Sequence, residues 1–168
     1  MKIHFNYLPQ QFKNINPIIL KWKQLAKSTE FTLGPYVEKF EKQFARYIGS
    51  KYCISTNNGT DALILCLKAL GIKNDDEVIT VSNTFYATAG AIVACGAKPI
   101  LVDCDERYQI DIKQIEKKIT KKTKIILPVH WGGASPNMFE ILKLAKKHKL
   151  KIVEDACMGI GAKIKRKS

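Results

Sequence analysis

From residue 50 onward the chain alternates short apolar runs with amphipathic ones, and this pattern constrains its fold more than any other feature. Apolar, β-prone runs occur at 52–55, 77–81, 99–103, 125–129 and 151–154. The intervals between them carry apolar residues at helical spacing. Ala62, Leu63, Cys66, Leu67 and Leu70 mark one helix, closed by Gly71. A second runs from Thr84 to Cys95 and stops at Gly96. Ile112, Ile115 and Ile119 mark a third, and Met138, Ile141, Leu142 and Ala145 a fourth. Asp111 with Gln114, and Asn137 with Glu140, stand where capping boxes would open these last two helices. Strands alternating with helices at this spacing connect by right-handed crossovers into a mainly parallel sheet. The predicted class is therefore α/β: three layers, a mainly parallel sheet with helices on both faces.

Residues 1–49 lack this alternation. Ile18, Ile19, Trp22, Leu25 and Ala26 form one apolar helical face, and Val37, Phe40, Phe44, Ala45 and Ile48 another. Gly34-Pro35 separates the two. The reading is an N-terminal helical arm over 1–49, packed on the sheet domain or on a partner, and an α/β domain over 50–168. At 168 residues the chain suits one core.

The formal net charge of +13 raises nucleic acid as a partner, but its makeup argues against it. Of 28 basic residues only Arg46, Arg107 and Arg166 are arginines, the forked donors that base and phosphate recognition favours. Lys113, Lys117, Lys118, Lys143, Lys146 and Lys147 fall on polar faces of the predicted helices, as a solvated surface requires. The expectation is no nucleic acid, with a steep salt dependence of binding as the opposing sign. The 5 cysteines form no Cys-x-x-Cys pair and sit mostly in apolar runs, reading as reduced core residues. No metal site is expected: Asp103, Asp105 and Asp111 fit no calcium-loop spacing. Residues 1–6 carry no signal-peptide core, and no apolar run approaches a membrane span. The expected location is cytoplasmic.

Ligands of an open parallel sheet sit beyond the carboxyl ends of its strands. The polar clusters of this chain fall there. The first apolar run leads into Asn58-Gly59-Thr60, where a glycine turn and a helix start can aim several amides at one phosphate-sized anion. The Thr60 hydroxyl offers a further donor, although the same residues also suit a plain turn with an N-cap. The second run leads into Ser82-Asn83-Thr84-Phe85-Tyr86, the fourth into His130-Trp131-Gly132-Gly133, and the fifth into Glu154-Asp155-Ala156. Phe85 reads either as a stacking ring or as plain core, and His130 as a pocket wall or a buried structural histidine. Anion nest, flat ring and carboxylate around one site match a planar phosphorylated ligand such as pyridoxal phosphate. Gly159-Ile160-Gly161 lacks the third glycine of a dinucleotide fingerprint.

Six runs carry a family resemblance: Asn58-Gly59-Thr60-Asp61-Ala62-Leu63, Asp76-Glu77-Val78-Ile79-Thr80, Asn83-Thr84-Phe85, Gly96-Ala97-Lys98-Pro99, Pro128-Val129-His130 and Glu154-Asp155-Ala156. In order and spacing they resemble the DegT/StrS-type sugar aminotransferases, fold-type-I enzymes that use pyridoxal phosphate to aminate keto groups on nucleotide-linked sugars. The resemblance covers nearly the whole chain. It implies that Asn58, Gly59 and Thr60 hold the cofactor phosphate, that Phe85 stacks on the ring, and that Asp155 pairs with the pyridine nitrogen. It further implies glutamate as amino donor, a nucleotide sugar as acceptor, and a homodimer when full length.

Two departures qualify that resemblance. Met158 stands where the family commonly has a glutamine bonded to the cofactor's phenolic oxygen, and a thioether cannot donate. The family's Schiff-base lysine lies farther along than this chain extends. Lys163, Lys165 and Lys167 follow Asp155 too closely to occupy its loop and read as a basic tail. The chain is accordingly expected to be the N-terminal portion of such an enzyme, an incomplete large domain that is inactive alone. The alternative is a non-catalytic piece that binds cofactor or associates with a longer subunit.

Overall fold

The computed structural model describes residues 7–164. Its centre is a four-stranded parallel sheet in the order β2-β1-β3-β4. The strands are β1 (Glu77–Val81), β2 (Lys98–Val102), β3 (Thr123–Leu127) and β4 (Lys151–Ile152). In β1, residues Val78 to Val81 are all buried, and in β3 Ile125, Ile126 and Leu127 are too. Burial on both faces is what a central parallel strand demands, and it explains their continuous apolar runs. Thr80 is the polar exception; its hydroxyl donates to the Leu127 carbonyl at 2.7 Å across the β1–β3 seam.

Among the described residues seven α-helices accompany the sheet: α1 (Leu8–Gln11), α2 (Asn16–Ser28), α3 (Pro35–Ile48), α4 (Gly59–Ala69), α5 (Tyr86–Ala94), α6 (Ile112–Lys118) and α7 (Met138–His148). The chain crosses from β1 to β2 in one direction along the sheet, then from β2 past β1 to β3 in the other. Right-handed crossovers running in opposite directions place their helices on opposite faces. So α5 packs with α4 on one side, while α6 and α7 pack together on the other. The three-layer α/β expectation matches this architecture.

Several local readings change. Residues 52–55 form no strand: Tyr52 is 72% and Ile54 81% exposed, and no neighbouring strand offers a ladder. The segment is instead tied by the Ser55 amide, which donates to Glu41 on α3 at 2.7 Å. Asp111 does cap α6, accepting from the Lys113 amide at 2.9 Å. Its box is not reciprocal, because Gln114 turns its amide onto the Asp111 carboxylate and its oxygen onto the Asp103 amide. Asn137 makes no side-chain cap and donates to Glu140 at 2.7 Å. The cysteines are free, and only Cys95 and Cys104 pack against the core. Cys66 and Cys157 are exposed, and Cys53, Cys95 and Cys104 are half-buried.

The two arm helices differ. α3 anchors through buried Ala45 and brings the Tyr47 hydroxyl against Gly161, whereas α2 buries no residue. Pro35 sits at the first turn of α3 and Gly34 at its N-cap, as the Gly-Pro break predicts. Among the described residues no helix is long and apolar enough to cross a membrane.

Candidate functional site

The loops leaving β1 and β3 depart in opposite directions, because β1 connects toward β2 and β3 toward β4. Such a reversal opens a crevice beyond the carboxyl ends of the two strands. A cavity of roughly 220 Å³ lies there.

Its walls come from four segments. The start of α4 supplies Gly59, Thr60 and Leu63. Asn58 caps this helix: its side-chain oxygen accepts from the Asp61 amide and its nitrogen donates to the Asp61 carboxylate, both at 2.9 Å. The Asn58 carbonyl takes the Ala62 amide. The Gly59 and Thr60 amides have no protein partner among the described residues, and both residues line the cavity at the positive end of α4. Asn58 caps the helix and does not line the cavity. Gly59 also sits close to Cys157: a Cβ there would lie 3.2 Å from the Cys157 sulfur.

The second segment follows β1 and contributes Thr84, Phe85 and Ala87. Phe85 is 60% exposed, so it is not plain core; its ring borders the cavity and packs on Tyr86 with centroids 4.2 Å apart. The third follows β3. His130 lies buried behind the cavity, its Nε2 3.1 Å from the Glu154 carboxylate, while Trp131 and Val129 line the wall. The structural reading of His130 therefore fits, and the pocket-wall role falls to Trp131. Buried Gln109 holds that turn by donating to the Trp131 carbonyl at 3.0 Å.

The last segment carries Asp155, Cys157 and Met158. Asp155 extends the β3–β4 ladder through a bridge to Val129, with its amide on the Pro128 carbonyl and its carbonyl on the His130 amide. Its carboxylate accepts from the Thr88 hydroxyl at 3.2 Å and from the Cys157 amide at 3.3 Å. Burial pushes the Cys157 thiol up, and the charge and hydrogen bond of Asp155 push it the same way. Thr88 and Cys157 were not read as site residues from sequence, and Thr84 only as part of the Ser82–Tyr86 cluster.

Lys163 is exposed and absent from the cavity wall; Lys165 and Lys167 lie outside the described residues, as do residues 1–6. Asp105 is occupied by the Arg107 and Gln109 amides, and no three metal-ligating side chains cluster among the described residues.

The model of the DegT/DnrJ/EryC1/StrS aminotransferase family matches residues 14–168. The chain belongs to that family. Similar members include the pleiotropic regulatory protein of Geobacillus stearothermophilus, 43% identical over 93% of this chain and 42% of that protein. The dTDP-3-amino-3,6-dideoxy-alpha-D-galactopyranose transaminase of Aneurinibacillus thermoaerophilus is 46% identical, over 83% of this chain and 39% of that one. Among solved structures, Bacillus subtilis NtdA with bound cofactor PMP superposes with a TM-score of 0.86 at 43% identity, covering 88% of this chain and 34% of that one. The chain spans about two fifths of the length of the curated relatives it matches. These family members place the architecture among fold-type-I aminotransferases.

Proposed function

We propose that this chain forms the cofactor-holding part of a pyridoxal-phosphate-dependent aminotransferase that moves an amino group, from glutamate, to a keto group of a nucleotide-linked sugar. The observation that carries the reading is the convergence of Gly59, Thr60, Phe85 and Asp155 on one cavity at the sheet's switch point. The donor set suits the cofactor. Two free amides at a helix start suit a phosphate, an exposed ring suits a planar heterocycle, and a carboxylate with spare lone pairs suits a protonated ring nitrogen. A side chain at Gly59 would press on the Cys157 sulfur at the cavity wall, which adds to the fit.

Gly59 and Thr60 bind the phosphate in this scheme, and Asn58 acts through them by fixing the first turn of α4. Phe85 covers one ring face and, with Trp131, keeps water from it. Asp155 orients the ring through its nitrogen and holds a proton there. When bound, the cofactor supplies an electron sink for proton removal beside the transferred amino group. Met158 leaves the phenolic oxygen without the usual donor from this position.

We assign 1–49 to a helical arm and 50–168 to the cofactor domain, with the lysine nucleophile supplied from beyond residue 168 and a homodimer as the complete assembly. The test is the coding frame after Ser168. A continuing frame with a lysine in a Ser-x-x-x-x-Lys context, whose product aminates a keto nucleotide sugar only with glutamate, supports the assignment. A longer product that binds the cofactor yet aminates no keto sugar contradicts it.

A further inference from the structure

Asp155 is not an isolated carboxylate. Thr88, in the first turn of α5, is 0% exposed, and its hydroxyl lies 3.2 Å from Asp155 Oδ2. Thr84, in the loop before the same helix, has its hydroxyl 2.8 Å from that of Thr88. A carboxylate only accepts, so the single Thr88 proton points at Asp155. The Thr84–Thr88 contact then has one possible sense: Thr84 donates and Thr88 accepts. Neither hydroxyl is used to cap α5, whose N-cap position makes no side-chain bond; the Thr88 amide takes the Phe85 carbonyl instead. The two hydroxyl dipoles are therefore aligned head to tail toward one carboxylate oxygen, and each polarises the next. The other oxygen takes the Cys157 amide.

We infer that Thr84 and Thr88 are positioning residues: a directed hydroxyl chain that fixes the rotation of the Asp155 carboxylate so that its remaining lone pairs face the ring nitrogen of the bound cofactor. The inference rests on the cofactor reading above. Thr88 does not line the cavity, so it acts through Asp155, whereas Thr84 both lines the wall and orients Thr88. With Thr88 silenced, the carboxylate keeps donors from Cys157 only and can swing about its Cα–Cβ and Cβ–Cγ bonds.

The probe is pyridoxine 5′-phosphate, which has phosphate and pyridine ring but no aldehyde to condense with surface lysines. Its binding to the 168-residue chain is followed by ring absorbance, which separates the protonated ring nitrogen from the neutral one. Thr88→Val is expected to weaken binding about tenfold, the scale of one hydrogen bond to a charged group, and to admit neutral ring into the bound population. Thr88→Ser restores wild-type affinity and the fully protonated spectrum. Thr84→Val gives a smaller loss in the same direction, and inorganic phosphate competes equally well in every variant. Wild-type affinity and spectrum in Thr88→Val overturn the inference, as does a parallel loss of phosphate affinity, which would mark general structural damage. If Thr88→Val does not fold, Thr84→Val decides: a loss reversed by Thr84→Ser supports the chain, and unchanged binding overturns it. Failure of the wild-type chain to bind the probe removes the cofactor reading itself, and the inference with it.

Discussion

Replacing Asp155 by Asn separates what this side chain does for the fold from what it does for a ligand. The carboxylate accepts from the Thr88 hydroxyl at 3.2 Å and from the Cys157 amide at 3.3 Å. An asparagine can keep its oxygen on the Cys157 amide and turn its NH2 to Thr88, whose hydroxyl then accepts and gives its own proton to Thr84. The backbone ladder of residue 155 is untouched, since its amide and carbonyl bond to Pro128 and His130. Both contacts are long and both can be remade with neutral partners, so the cost to the fold is at most about 1 kcal/mol. For a domain of this size that lowers the melting temperature by at most roughly 4 °C. Binding of a protonated pyridine ring loses an ion-paired hydrogen bond, about 1.5–3 kcal/mol or roughly 10–150-fold. Phosphate held at the Gly59 and Thr60 amides keeps its affinity. Thermal unfolding gives the first quantity, and fluorescence titration with pyridoxine 5′-phosphate and inorganic phosphate the others. Unchanged ring affinity in folded Asp155→Asn would refute the assignment of this carboxylate.

Four further outcomes follow from the geometry. Gly159→Ala places a Cβ 2.9 Å from His130 Cβ and 3.0 Å from His130 Nδ1 in a buried spot, and is expected to cost about 1–3 kcal/mol in denaturant unfolding; a cost near zero would mean the backbone yields there. The Cys157 thiol is pushed up by burial and by Asp155, so mapped alkylation at mildly alkaline pH should be faster in Asp155→Asn; an equal or slower rate contradicts the coupling. Glu116 is held low by hydrogen bonds from Lys147 and His148 and by their charges, joining α6 to α7. A depressed carboxylate stabilises the fold above its unfolded value and loses that effect as pH falls through the folded one. The melting-temperature gap between wild type and Glu116→Gln should therefore be constant at neutral pH and close below about pH 4.3; a gap that widens in acid contradicts it. Finally, borohydride reduction after incubation with pyridoxal phosphate should label Lys163 no more than other exposed lysines, whereas selective labelling there would make it the nucleophile.

The central strands were legible because a parallel strand covered on both faces is mostly apolar, as 78–81 (apart from Thr80) and 125–127 are. The run at 52–55 has the same composition but no neighbour to complete its ladder, and composition cannot supply a partner. That Gly59, Thr60, Phe85 and Asp155 line one cavity was readable because each lies in a polar cluster that follows an apolar run. Asn58 was read as a ligand contact, but its side chain is consumed locally by the Asp61 amide and carboxylate. Thr88 left no signal, since its partner lies 67 positions away and only the crossover brings the two together. The distinction between His130 and Trp131 was equally hidden: adjacent residues at a turn face opposite ways, and the sequence does not say which way.

The most direct test of the account is a crystal structure of this chain grown with pyridoxal phosphate. The account predicts the phosphate on the Gly59 and Thr60 amides, the ring over Phe85, and the pyridine nitrogen within hydrogen-bond distance of Asp155. A ring bound with its nitrogen turned from Asp155, or a cavity left empty at saturating cofactor, would contradict it.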